Sequence, residues 1–366
     1  METSELKVAI VHDWLNQLGG AEGVLEALKE LYPEAPVYTS IYWPQAMPRE
    51  YSTWDIRTSW LNRLPLIKTH HQPFLPLYPL AFEGFDLRGY DLVISNKSAF
   101  CHGVITPSRA VHICYCLTPT RFLWDYHHYV QHERVNPLAG VLLSPILRNL
   151  RLWDKAAADR VEHFVAISES VRQRIQKFYR RDAVVIHPPV DVERFSVQTE
   201  HEDYFLVVSR LIPYKRIDLA VEAFNRLRLP LKIVGDGRDR RRLQAMAGPN
   251  IEFLGRVPDQ QVEQLLSRCR AFVFPGEEDF GIAPLEAQAA GRPVIAYAAG
   301  GALETVVEGI TGHLFQEQTV ESLAEVVAGF DVAAFDGAAI RRHAQGFDTE
   351  SFKTQLSAFV EEHVSP

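Results

Sequence analysis

The chain has 366 residues, 47% hydrophobic and 23% charged, with 38 Lys and Arg against 46 Asp and Glu for a formal net charge of −8. That length is too great for one ordinary core and argues for two domains, and the composition excludes disordered and fibrous classes. The acidic balance disfavours nucleic acid as a partner, and the four cysteines, which form no CxxC pair, favour a reduced cytoplasmic setting over a disulfide scaffold.

In chain order, Glu2 and Glu5 lead directly into the apolar run KVAIVHD (7–13), without the basic region and apolar core of a leader peptide. Further short β-branched runs follow at 36–43, 91–96, 111–116, 163–168 and 184–190, alternating with helical patterns. Between 137 and 153, Leu, Ile and Trp153 mix with Arg148 and Arg151, which reads as an amphipathic core helix or as an interfacial segment at a membrane. After a polar stretch at 196–203 the alternation restarts, with strands expected at 204–210, 231–237, 251–257, 271–276 and 293–298. No apolar stretch reaches the roughly eighteen residues needed to span a bilayer.

This is a doubly wound α/β pattern written twice, and the near-continuous apolar strands fit parallel sheets covered on both faces. The expected organisation is an N-terminal Rossmann-like domain at 1–190 for the acceptor and a donor-binding one at 204–345. A linker near 190–203 joins them, and a C-terminal helix at 346–366 crosses back to the first domain. The helix after Lys215 should bury Ile217, Ala220, Val221 and Phe224, and the last helix Phe352, Leu356, Phe359 and Val360. Paired sheets of this kind bind ligands in the cleft that their strand ends face.

The most informative segment is Glu278-Asp-Phe-Gly-Ile-Ala-Pro-Leu-Glu286, which follows the strand AFVFP and runs into a helix-forming stretch. Glu278 then lies in the loop beyond the strand, where its carboxylate can accept hydrogen bonds from sugar hydroxyls. The free N–H groups of the helix's first turn favour anions such as phosphate. Arg210 closes another strand and Lys215 follows it, two cations able to neutralise a departing diphosphate. Near the N-terminus, Gly19 and Gly20 precede a helix and would let backbone N–H groups approach a diphosphate closely. The chain has no D-x-D triplet, H-E-x-x-H, P-loop or G-x-S-x-G, and His128 with His132 lacks the remaining ligands of a zinc site.

Taken together, these residues resemble the retaining nucleotide-sugar glycosyltransferases of family 4, with the GT-B fold of two facing Rossmann-like doubly wound domains and a central cleft. The likeness rests on Gly19-Gly20-Ala21-Glu22, Ser209-Arg210-Leu211 with Lys215, Gly235-Asp236-Gly237, Leu254-Gly255-Arg256-Val257 and the Glu278–Glu286 segment. The stretches around VHICYC and SRLIPYKR look like the mannosyltransferase branch of bacterial O-antigen and exopolysaccharide assembly. The resemblance implies transfer of a hexose, foremost mannose from GDP-mannose, to a lipid-linked or saccharide acceptor, with neither metal nor cofactor and with peripheral contact at the inner membrane face.

It further implies that Arg210 and Lys215 hold the diphosphate together with Gly20, and that Glu286 binds the ribose while Arg256 and Val257 lie beside the base. Glu278 would contact the sugar, and the amides of Phe280, Gly281 and Ile282 would bind sugar hydroxyls or phosphate. In one place the chain departs from the pattern. The family reads Cys-His-Thr-Pro where this chain has Cys116-Leu117-Thr118-Pro119, and Leu117 offers no hydrogen bond to a sugar. A UDP-sugar transferase, a nucleotide-sugar epimerase and a non-catalytic nucleotide-binding scaffold remain as alternatives.

Overall fold

Unbroken aliphatic runs cannot leave either face to water, so each forms the interior of a parallel sheet. The computed structural model describes residues 6–125 and 137–364, leaving His128 and His132 outside the described residues. The chain divides into two compact units, unit 1 comprising Met1–His187 with Phe352–Pro366 and unit 2 comprising Pro188–Ser351.

Unit 1 holds a seven-stranded sheet of order β3-β2-β1-β4-β5-β6-β7. Its strands are β1 (Val8–His12), β2 (Val37–Thr39), β3 (Ile56–Thr58), β4 (Leu92–Lys97), β5 (Val111–Cys116), β6 (His163–Ala166) and β7 (Ala183–Val185). Unit 2 holds a six-stranded sheet of order β10-β9-β8-β11-β12-β13. These strands are β8 (Phe205–Val208), β9 (Leu231–Val234), β10 (Ile251–Gly255), β11 (Phe272–Phe274), β12 (Val294–Tyr297) and β13 (Gly312–Phe315). All pairings are parallel, β1 lying between β2 and β4 and β8 between β9 and β11. The double alternation in the sequence has therefore become two Rossmann-like sheets.

Two strands lie outside the sequence expectation. β3 is a three-residue edge strand, Ile-Arg-Thr, too short and too exposed to show alternation. β13 begins at Gly312, which reads as a turn residue, yet a Cβ there would lie 1.9 Å from the Val294 carbonyl oxygen, so glycine is what lets β13 pair with β12. The expected strand at 184–190 ends at Val185. The Pro188-Pro189 pair beyond it has no N–H groups to offer a ladder.

The segment read as a linker packs into unit 2. Arg292, buried just ahead of β12 in the chain, donates to the carbonyls of Gln198 and Glu200 at 2.9 and 2.6 Å, and the Arg194 Nε donates to Glu263 at 2.6 Å. The helix Ile217–Leu227 buries Ile217, Ala220, Val221 and Phe224, as its stripe predicts. The helix Thr349–His363 buries Phe352, Leu356, Phe359 and Val360, with Phe352 edge-on to Tyr115 and Phe359 edge-on to His163 within unit 1. The helix Pro137–Ala158 buries Leu147, Leu150 and Asp154 and leaves Ile146 and Leu152 exposed. Among the described residues no helix is long and apolar enough to cross a membrane.

Candidate functional site

In the order β10-β9-β8-β11-β12-β13 the winding reverses between β8 and β11, and the turns that leave these two strands at their carboxyl ends mark the edge where open sheets of this kind bind ligands. The turn after β8 carries Arg210 and Lys215, and the turn after β11 carries Glu278. Lys215 ends a short 3-10 turn, Pro213–Lys215, and its Nζ forms an ion pair with Glu278 Oε1 although the two residues lie far apart in the chain. Both are mostly covered, at 12% and 21% side-chain exposure, so the contact is shielded from full solvent screening.

Local chemistry sets this geometry. A Cβ at Gly276 would lie 2.8 Å from the Lys215 carbonyl oxygen, so only glycine lets the two turns approach this closely. The Glu278 carbonyl accepts from Gly301 N–H at 2.9 Å, which anchors the β11 turn to the loop after β12. Gly281, at φ 92°, turns the chain into the helix Ile282–Ala289 and, as its N-cap residue, has no side chain to cap the first turn. Phe280 is buried beneath that turn, 6.0 Å from the ring of Phe347.

Tyr214 joins the cationic group. Its hydroxyl accepts from Arg210 Nη2 at 3.3 Å, and its ring centroid lies 5.4 Å from Lys215 Nζ. Arg210 is exposed, whereas Lys215 is held by Glu278 and the ring. Tyr214 stands next to the basic residues in PYKR, but nothing in the sequence distinguishes it from a surface tyrosine.

Glu286 lies half-buried in the helix Ile282–Ala289. Burial pushes its carboxyl above the ordinary value, the Arg194 guanidinium pulls it back, and Asp259 and Asp191 add to the rise. Arg194 also holds Glu263 at 2.6 Å and Asp259 at 3.7 Å, linking Glu286 to the start of the helix Asp259–Arg268. Exposed Arg256 and half-buried Val257 lie between β10 and that helix, followed by its N-cap residue Pro258. Sequence reasoning missed Arg194, which lies in a segment without periodicity.

The remaining expected positions belong to unit 1. Gly19 and Gly20 are exposed at the start of the helix Gly20–Leu31, after β1. Glu22 of the same motif points inward, buried, with His12 Nε2 at 3.2 Å from its Oε1. Leu117 lies half-buried at the end of β5, its backbone N–H bonded to the Lys97 carbonyl at 2.8 Å.

Two family models cover most of the chain. Residues 18–194 match Glycosyltransferase Family 4, and residues 189–330 match Glycosyl transferases group 1. The chain belongs to glycosyltransferase family 4. This family 4 glycosyltransferase is 32% identical, over 46% of its length, to the GDP-mannose-dependent monoacylated alpha-(1-6)-phosphatidylinositol monomannoside mannosyltransferase of Corynebacterium glutamicum, covering 52% of that protein. It is 26% identical to the Alpha-1,3/1,6-mannosyltransferase ALG2 of Mus musculus over 94% of this chain and 93% of that one. The chain spans about half the length of the first curated relatives it matches. Its backbone is similar to that of Anabaena Alr3699/HepE in complex with UDP, with a TM-score of 0.73 at 18% identity, over 98% of this chain and 100% of that one. That likeness establishes the GT-B fold for this family 4 glycosyltransferase.

Proposed function

We propose that the protein is a retaining hexosyltransferase that draws its sugar from a nucleotide sugar, foremost mannose from GDP-mannose. The acceptor in this reading is a lipid-linked or saccharide hydroxyl in surface-polysaccharide synthesis, reached at the inner face of the membrane. The observation that carries the reading is the Lys215–Glu278 pair at the β8/β11 switch point, with Glu286 about one turn into the adjoining helix. An ammonium has three donors, so Lys215 can bond Glu278 and still offer N–H groups to a phosphate, while Glu278 keeps a second oxygen for sugar hydroxyls. Mannose is favoured by the names of the Corynebacterium and mouse relatives.

In the reaction we propose, the bond between the anomeric carbon and the diphosphate oxygen breaks, and the bonding pair leaves with the diphosphate. Arg210 and Lys215 stabilise the charge that develops there. The acceptor oxygen attacks from the face the diphosphate is leaving, which retains configuration, and its proton passes to a departing phosphate oxygen. The account needs no metal ion. Leu117 supports a second reading, a protein that binds the nucleotide sugar without transferring it.

A thermal-shift panel of GDP, GDP-mannose, UDP and UDP-glucose tests the reading. A ligand at about 100 times its dissociation constant stabilises the native state by about 2.7 kcal/mol. The expected outcome is a selective rise with GDP and GDP-mannose. A larger rise with UDP or UDP-glucose would move the donor to a UDP-sugar, and no response to any nucleotide would overturn the donor site.

A further inference from the structure

The turns that carry Lys215 and Glu278 leave different strands, and a third loop joins them. Arg216, directly after Lys215, holds φ 54°, the left-handed region that strains a residue bearing a Cβ. Its guanidinium donates from Nε to Asp218 Oδ1 at 3.3 Å and from Nη1 to Gln318 Oε1 at 3.0 Å. The same Gln318 amide donates from Nε2 to the Pro275 carbonyl at 3.1 Å. Pro275 is the first residue beyond β11 and leads through Gly276 and Glu277 to Glu278. Gln318 itself lies beyond β13, two strands from β11 in the sheet order, and is half-buried.

We propose that Gln318 is a positioning residue: its side-chain amide ties the Pro213–Arg216 turn to the Pro275–Glu278 turn and so sets the spacing of Lys215 and Glu278. The proposal rests on the reading of this edge as a nucleotide-sugar site. An amide suits the task because it accepts at one end and donates at the other, matching a guanidinium on one turn and a carbonyl on the other. A carboxylate would serve Arg216 but face the Pro275 carbonyl oxygen with no proton, and an apolar side chain would serve neither. Without the amide, Arg216 loses the contact that helps hold its strained backbone, and Lys215 moves with it. The sequence shows nothing of this, because Gln318 lies in a polar run, QEQT, that reads as an ordinary turn.

The test is a double-mutant cycle on the full chain, with affinity for GDP and for UDP read by titration calorimetry. Gln318→Leu should weaken whichever nucleotide the wild-type chain binds by about tenfold, the loss of two hydrogen bonds. It should cost little further once Lys215→Ala is present, because its effect runs through that side chain. Unchanged affinity in Gln318→Leu while Lys215→Ala loses binding, or a loss that simply adds to that of Lys215→Ala, overturns the proposal and leaves the nucleotide reading intact. Binding of neither nucleotide by the wild-type chain overturns that reading, and the proposal with it. Gln318→Glu is measured in parallel in case the leucine variant does not fold. It keeps the acceptor for Arg216 and loses the donor to Pro275, so about a threefold loss is expected, and wild-type affinity there would overturn the proposal.

Discussion

At the point where the strand order reverses, unit 1 turns its charged group inward and unit 2 keeps its charged groups at the rim. In unit 1 the residue after β1 is Asp13, 1% exposed. Its carboxylate accepts the backbone N–H groups of Ser98, Ala99, Phe100 and Cys101 at 2.6–2.8 Å and the Ser98 hydroxyl at 2.9 Å. The amides of the turn after β4 are thereby used within the chain. In unit 2 the residue after β8 is Ser209, whose hydroxyl donates to the Arg210 carbonyl beside it at 3.2 Å. Arg210, Lys215 and Glu278 then supply the charge of that edge. One topology produces two such edges, and whether each can take a ligand depends on whether the chain's own side chains consume its polar groups.

The largest effect is expected from Asp13→Ala. Five donors would lose a buried anionic acceptor, which should cost about 3–5 kcal/mol and lower the melting temperature by roughly 10 °C for a unit of this size. Nucleotide affinity of the folded fraction should not change. Normal stability with lost affinity would make the unit 1 edge a ligand site and end the contrast.

Lys215→Ala should act in the opposite way, with affinity for the nucleoside diphosphate falling about 100-fold for one charge-assisted contact. Stability should fall by a smaller margin, about 1–2 kcal/mol, because Glu278 loses a mostly covered partner but keeps some access to water. A variant that binds as tightly as the wild type would show that the β8 turn does not hold the diphosphate.

Glu286→Gln should separate function from stability. Because burial raises the folded-state pKa of Glu286, its contribution to stability is fully present below the unfolded value and is lost as pH rises through the folded one. Near neutral pH the ionised group is therefore a cost, and the glutamine variant should melt at or above the wild-type temperature while nucleotide affinity drops about tenfold. Wild-type affinity should begin to fall on acidification above the usual carboxylate range, and the variant should lose that dependence. A pH profile identical in both proteins would remove Glu286 from the ribose.

The smallest effect is expected from Leu117→His. The side chain is half-buried and its backbone bond to Lys97 does not depend on side-chain identity, so stability and nucleotide affinity should hold. Sugar release from the nucleotide should rise about fivefold, the worth of one hydrogen bond. An unchanged rate would favour the reading of a protein that binds without transferring.

What the sequence determined by itself were features carried by neighbours along the chain. The aliphatic runs specified two parallel sheets, the stripes at Ile217–Phe224 and Phe352–Val360 specified which helix faces are buried, and the Glu278–Glu286 segment announced a strand, a turn and a helix in that order. These are legible because strand and helix periods are local, with partners two to four residues apart. The family motifs also marked Arg210, Lys215, Glu278 and Glu286 as candidates. How they combine comes from the fold: Lys215 meets Glu278, Arg194 bridges Glu263 and Asp259, Glu22 turns inward to His12, and Gln318 joins two turns. Each of these contacts depends on which strands become neighbours and on where glycine lets backbones touch, and no pattern along the chain encodes a distance between residues that strand order alone brings together.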